Sequence, residues 1–127
     1  MQDKSGELVL YGLDNINNKL DNIIEGLKLK EQYFEIKLVI SEAVNNAFIH
    51  GNNSDKNKPI YVNWKLEEKN LILTVTDCGS GIRNLKICGE INENNILEES
   101  GRGLYIINSY ADEVKIIDNS IIIKKCI

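Results

Sequence analysis

Between residues 36 and 51 the sequence leaves the chain little freedom. Ile36, Val39, Ile40, Ala43 and Ala47 recur at the three-and-four spacing of a helix that turns about 100° per residue. That apolar stripe has to be buried, and Gly51 stands where a left-handed residue would close the helix. Glu42 and Asn46 lie one turn apart on the shoulder of the stripe, whereas Asn45 points almost the opposite way. A carboxylate and an amide beside a core face need partners. Water or a bound molecule has to supply them.

The segments around this helix are expected to form a sheet and two further helices. Residues 7–11 are a short apolar run suited to an opening strand. Ile16, Leu20, Ile23, Ile24 and Leu27 follow helical spacing behind a cap at Asp14 or Asn15, and this stripe reads as core before it reads as a partner groove. After a polar loop holding the only proline, Ile60, Val62, Trp64 and Leu66 alternate with Tyr61, Asn63, Lys65 and Glu67, which is a strand with one buried face. Residues 71–76 return as its partner, and residues 113–117 and 120–126 form a last hairpin around Asp118 and Asn119. A helix over residues 104–110 precedes that hairpin. Helices and strands that segregate in this way predict an α+β, two-layer sandwich, a mixed or antiparallel sheet with helices on one face. A chain of 127 residues predicts one domain, 1–127.

Composition excludes several functions. The net charge is −4, arginine occurs only at Arg83 and Arg102, and no basic cluster suits nucleic acid or an anionic membrane. No secretory signal and no membrane-length apolar run are visible. Three cysteines without close pairing suit free thiols in a reducing, cytoplasmic setting, with Cys78 read as a small packed residue. One histidine argues against zinc.

Two glycine-rich stretches remain. Asp77-Cys78-Gly79-Ser80-Gly81-Ile82 comes straight off a strand, so the Asp77 carboxylate can project into a cleft while Gly79 and Gly81 let backbone approach a flat ligand. Ser100-Gly101-Arg102-Gly103-Leu104 opens a helix, where unpaired backbone N–H groups and the positive end of the helix dipole suit phosphate. Either stretch alone is a weak signal, with a polar turn or a flexible helix entry as the plain alternative.

In order and spacing, Ser41-Glu42-Ala43-Val44-Asn45-Asn46-Ala47, then Asp77-Cys78-Gly79-Ser80-Gly81, then Gly101-Arg102-Gly103-Leu104 resembles the Bergerat-fold (GHKL, histidine-kinase-like) ATPases. The wording around His50-Gly51 and Ser100-Gly101 is similar to the bacterial anti-sigma factors that are serine protein kinases. The resemblance implies the Bergerat ATP-binding fold, ATP or ADP as ligand, and magnesium held by Asn46. It implies Glu42 as the catalytic base and Asp77 as the reader of the adenine amino group. Gly79, Gly81 and Ile82 would lie against the base, and Gly101, Arg102, Gly103 and Leu104 at the phosphates, under an ATP lid of about residues 83–100. Implied partners are a sigma factor, a STAS-domain anti-anti-sigma factor and a second copy in a homodimer. His50 lies inside the nucleotide motif and is not expected to be a phosphoacceptor.

The chain departs from that pattern twice. Gly89-Glu90-Ile91-Asn92-Glu93-Asn94 stands where sporulation-type relatives carry a lid lysine, which removes one γ-phosphate contact. Ser120 stands near the position where many relatives carry a threonine that supports the adenine aspartate, and the resemblance implies that its hydroxyl takes that part in nucleotide binding. Two rival readings are a non-catalytic nucleotide-dependent binding module and a free-standing ATP-binding domain of a two-component system. The presence of Glu42 favours the kinase over the first, and the lack of phosphoacceptor helices counts against the second.

Overall fold

The structure, a computed structural model, describes residues 4–78 and 99–127. The elements are β1 (Lys4–Leu10), α1 (Ile16–Leu27), a 3-10 turn (Lys30–Gln32), α2 (Tyr33–Asn46), a π-helical turn (Ala47–Gly51), β2 (Ile60–Glu67), β3 (Asn70–Thr76), α3 (Glu99–Tyr110), β4 (Glu113–Ile117) and β5 (Ser120–Cys126). The five strands form one sheet in the order β1-β2-β3-β5-β4. Every neighbouring pair is antiparallel, so of the two expected arrangements the antiparallel one holds.

Alternation sets the inner face of the sheet. Ile60, Val62 and Leu66 of β2, Leu71, Leu73 and Val75 of β3, and Ile121 and Ile123 of β5 are buried on one side. The register aligns them in rows, with Leu10 beside Ile60, Val62 beside Val75 and Val75 beside Ile121. These rows share one core with Leu20, Ile23, Ile24 and Leu27 of α1, the α2 stripe, and Ile107 of α3. All five positions singled out by spacing, four in α2 and Ala47 at the start of the π turn, are fully buried. Both hairpins turn on a residue in the left-handed region, Glu68 at φ 50° and Asp118 at φ 52°.

Three local expectations change. Asn15 does not cap α1 with its side chain; it adopts φ 58°, a conformation asparagine tolerates, and α1 closes on a left-handed Lys28. β1 begins at Lys4, three residues before the apolar run, because pairing with β2 carries Lys4, Ser5 and Gly6 into the sheet. Gly6 is required there: an added Cβ would overlap the indole ring of Trp64 on the facing strand. The last helix begins at Glu99, not after Gly103, so Gly101 and Gly103 lie inside it. Packing of α3 against α2 overrides the weak helix propensity of two glycines.

Two polar clusters fasten the helices. Lys125 is buried on the inner face of β5, where its Nζ donates to the Tyr110 carbonyl at 2.9 Å and pairs with Glu35 at 3.0 Å. The Tyr33 hydroxyl of α2 donates to the Asp21 carboxylate of α1, which also pairs with Lys37 at 3.0 Å. The hydrogen bond to Asp21 pushes the Tyr33 pKa up to about 12, and the same bond, with Lys37, holds Asp21 below its ordinary value.

The sign of the linkage follows. In the unfolded chain Tyr33 titrates near its ordinary value of 10.0, below the folded value of about 12. Its contribution is therefore complete below pH 10.0 and is lost as pH rises through about 12. That of Asp21 is lost at the acid end, as pH falls through its lowered value. Melting temperature measured against pH should thus fall less steeply above pH 10 in Tyr33→Phe than in the wild type. Parallel curves would show that the Tyr33–Asp21 bond does not form in solution.

Candidate functional site

The α2 helix delivers its two shoulder residues as spacing predicts. Glu42 is half-buried, Asn46 is 9% exposed, and Asn45 is exposed. The Asn46 Nδ2 has no hydrogen-bond partner among the described residues, although it is shielded from solvent. Leaving a buried amide donor unsatisfied costs about 1–3 kcal/mol.

After Asn46 the helix widens into the π turn, where Asn52 N–H donates to the Ala47 carbonyl at 2.7 Å. Single π turns of this kind recur at functional sites. Gly51, at the end of the turn, is not in the left-handed region; Asn53 and Ser54 take that conformation, at φ 57° and φ 59°. Glycine is needed at 51 for a different reason. An added Cβ there would overlap the carboxyl group of Asp77. The Asp77 carboxyl is seated directly on the backbone of the π turn, and the residue is 3% exposed.

Asp77 is fixed through its main chain as well. Its N–H donates to the Asn119 carbonyl in the β4–β5 turn at 3.0 Å. The next N–H, of Cys78, donates to the Asn52 Oδ1 at 2.7 Å. The Asn52 Nδ2 in turn donates to the carbonyls of Lys58 and Pro59 at 3.0 and 3.1 Å. Asn52 is wholly buried, and sequence reasoning missed it. Nothing in a chain rich in asparagine separates it from Asn53, which is exposed.

The remaining sequence-derived residues divide into three groups. Gly79, Gly81, Ile82 and nearly all of the lid lie outside the described residues. Gly101, Arg102, Gly103 and Leu104 fall in the first turns of α3, which packs against α2. Ser120 is brought to Thr76, not to Asp77. Their hydroxyls are 2.7 Å apart on the outer face of the sheet, whereas Asp77 follows the inward register of Val75. Cys78 is exposed and not packed, with its Sγ 3.5 Å from the Pro59 carbonyl, because the strand ends at Thr76. His50 is also exposed. Among the described residues no group of histidine, cysteine, aspartate and glutamate could hold a metal, and no helix is long and apolar enough to cross a membrane.

The arrangement thus joins a helix bearing a carboxylate and an orphaned amide to a strand end bearing a seated carboxylate. Residues 20–123 match the family described as a histidine kinase-like ATPase domain. The chain is similar to an anti-sigma F factor of Bacillus cytotoxicus, at 42% identity over 91 residues, and to those of Bacillus mycoides and Bacillus anthracis at 41%. Each match covers 70% of this chain and 62% of the relative, so the chain spans less than two thirds of those relatives' length.

The close approach of Gly51 to Asp77 can be checked by substitution. Gly51→Ala should lower the unfolding free energy by about 1–3 kcal/mol, the usual range for a forced fit in a packed site. Urea titration followed by the fluorescence of Trp64, the single tryptophan, reads this directly. Unchanged stability would mean that the carboxyl does not rest there.

Proposed function

Since the chain belongs to the histidine kinase-like ATPase domain family, we propose that it is an ATP- and ADP-binding anti-sigma factor with protein-serine kinase activity. It sequesters a sigma factor in one nucleotide state and phosphorylates a STAS-domain anti-anti-sigma protein in another. The name carried by its Bacillus relatives supports the first partner. The observation that carries the reading is the buried Nδ2 of Asn46, without a hydrogen-bond partner among the described residues and one turn after Glu42 on α2.

Asp77 reads the base. An ionised carboxylate only accepts hydrogen bonds, so it suits the 6-amino group of adenine and rejects the carbonyl that guanine carries at that place. Gly79, Gly81 and Ile82 line the purine. With α3 beginning at Glu99, the N–H of Gly101 belongs to the unpaired first turn and meets the phosphates, with Arg102 as added charge, whereas the N–H groups of Gly103 and Leu104 fall where intrahelical bonds form. Ser120, whose hydroxyl is engaged with Thr76, is given no role in this reading.

Asn46 is the residue that would hold magnesium. Its two amide heavy atoms exchange by a half-turn of the side chain, so the orphaned group can offer an oxygen to a hard cation. When bound, the ion neutralises charge that develops on the transferred phosphoryl group. Glu42 takes the proton from the attacking serine hydroxyl, and the freed oxygen displaces ADP from the γ-phosphorus in line. A homodimer in a reducing, cytoplasmic setting completes the reading, in keeping with the free and exposed Cys78 and Cys126.

Two measurements decide it. Asp77→Asn should weaken ATP binding by about tenfold or more, the worth of a charged hydrogen bond to the base. Affinity within about twofold of the wild type would remove the adenine assignment. With labelled ATP, magnesium and a STAS protein, Glu42→Ala should slow transfer to serine by at least about 100-fold, as expected for loss of a general base. Equal transfer by the variant would show that Glu42 is not the base.

A further inference from the structure

Asn52 lies outside every motif that carries the nucleotide reading, yet it is the most completely engaged polar side chain around Asp77. It is 0% exposed. Both donors of its amide are used, on the carbonyls of Lys58 and Pro59, and its oxygen accepts from Cys78 N–H. A buried amide satisfied in this way has a single orientation, because turning it by half would set donor against donor and acceptor against acceptor.

The placement of these bonds matters more than their number. The peptide before Asp77 is held from the β4–β5 turn, by the Asn119 carbonyl. The N–H of the peptide after it, that of Cys78, is held by the Asn52 oxygen. Adjacent to Asn52 in sequence, Gly51 supplies the surface on which the Asp77 carboxyl rests. One dipeptide therefore controls both the floor beneath the carboxylate and the backbone that aims it. Hydrogen-bond energy falls steeply with misdirection, so a small turn of the 77–78 peptide would weaken a bond from carboxylate to base without touching the rest of the site.

We propose that Asn52 is a positioning residue that sets the base selectivity of the nucleotide site by fixing the Asp77 carboxylate. The inference rests on the reading of Asp77 as the group that meets the adenine amino group.

The test compares binding of adenosine triphosphate and inosine triphosphate, which carries a carbonyl in place of the amino group, by calorimetry on the full chain. The wild type should prefer ATP. Asn52→Ser, which removes the amide, should lower the ATP-to-ITP affinity ratio by about tenfold, while ITP affinity changes by no more than about twofold. Partial unfolding scales both affinities alike and leaves their ratio unchanged. A ratio equal to that of the wild type, or both affinities falling by one factor, overturns the proposal. Should Asn52→Ser not fold, Asn52→Gln keeps the amide but displaces it by one methylene; a lowered ratio supports the proposal and a wild-type ratio overturns it. Asp77→Asn in the same assay separates the two layers. An unchanged ratio there, or a wild type without preference, overturns the reading of Asp77 and this inference with it. A collapsed ratio in Asp77→Asn beside wild-type ratios in the Asn52 variants overturns the positioning role alone.

Discussion

A carboxylate buried at the end of a strand and resting on glycine backbone is the constraint that the rest of the molecule serves. Asp77 is 3% exposed, and a group of that kind is costly to bury unless its surroundings are fixed. Three elements remote in sequence do the fixing. The π turn after α2 gives the floor, the β4–β5 turn holds the preceding peptide through Asn119, and Asn52 holds the following one. Each depends on something larger. The π turn is placed by the α2 stripe in the core, Asn119 by the β3–β5 register, and Asn52 by the entry of β2 at Pro59. The sheet order β1-β2-β3-β5-β4 puts β3 at the centre, so the strand that ends in Asp77 has neighbours on both sides.

Helix α2 serves two ends of the site at once. Its last turns carry Glu42 and Asn46, its π extension seats Asp77, and α3, with Gly101 and Gly103 in its first turns, packs against it. On the proposed reading, the groups for the base, the metal and the phosphates are all referred to this one helix. Positioning of this kind is where most of the catalytic advantage in phosphoryl transfer arises. At its other end α2 is tied to α1 through Tyr33 and Asp21 and to β5 through Glu35 and Lys125. These ties lie at the start of the helix, away from Glu42 and Asn46 at its end.

Much of this was legible in the sequence, and the reason is period. The 3.6-residue repeat of Ile36, Val39, Ile40, Ala43 and Ala47 and the two-residue repeat from Ile60 to Leu66 both arise from burial of one face, and both survive in the structure. The same helical geometry chose Asn46 over Asn45, and burial agrees. Features that depend on contacts distant in sequence were not legible. Gly51 looked like a left-handed cap because glycine has two uses, and only the proximity of Asp77 shows that the second applies. Asn52 gave no signal because its partners, at 58, 59 and 78, are set by tertiary structure. Ser120 was taken from the family pattern, and its pairing with Thr76 on the outer face follows from the β3–β5 register, which the pattern does not show.

The orphaned amide of Asn46 and the satisfied amide of Asn52 make an instructive contrast. Both are buried asparagines on the same stretch of chain, separated by the π turn. One uses both donors and an acceptor within the protein, while the Nδ2 of the other has no partner among the described residues. A fold optimised only for stability would remove the second, since an unsatisfied buried donor costs about 1–3 kcal/mol and an apolar side chain of similar size would remove that cost. Asn52 therefore reads as part of the frame. On the proposed reading, Asn46 is kept for the nucleotide and its metal, and a local departure from satisfied packing of this kind is what functional sites show.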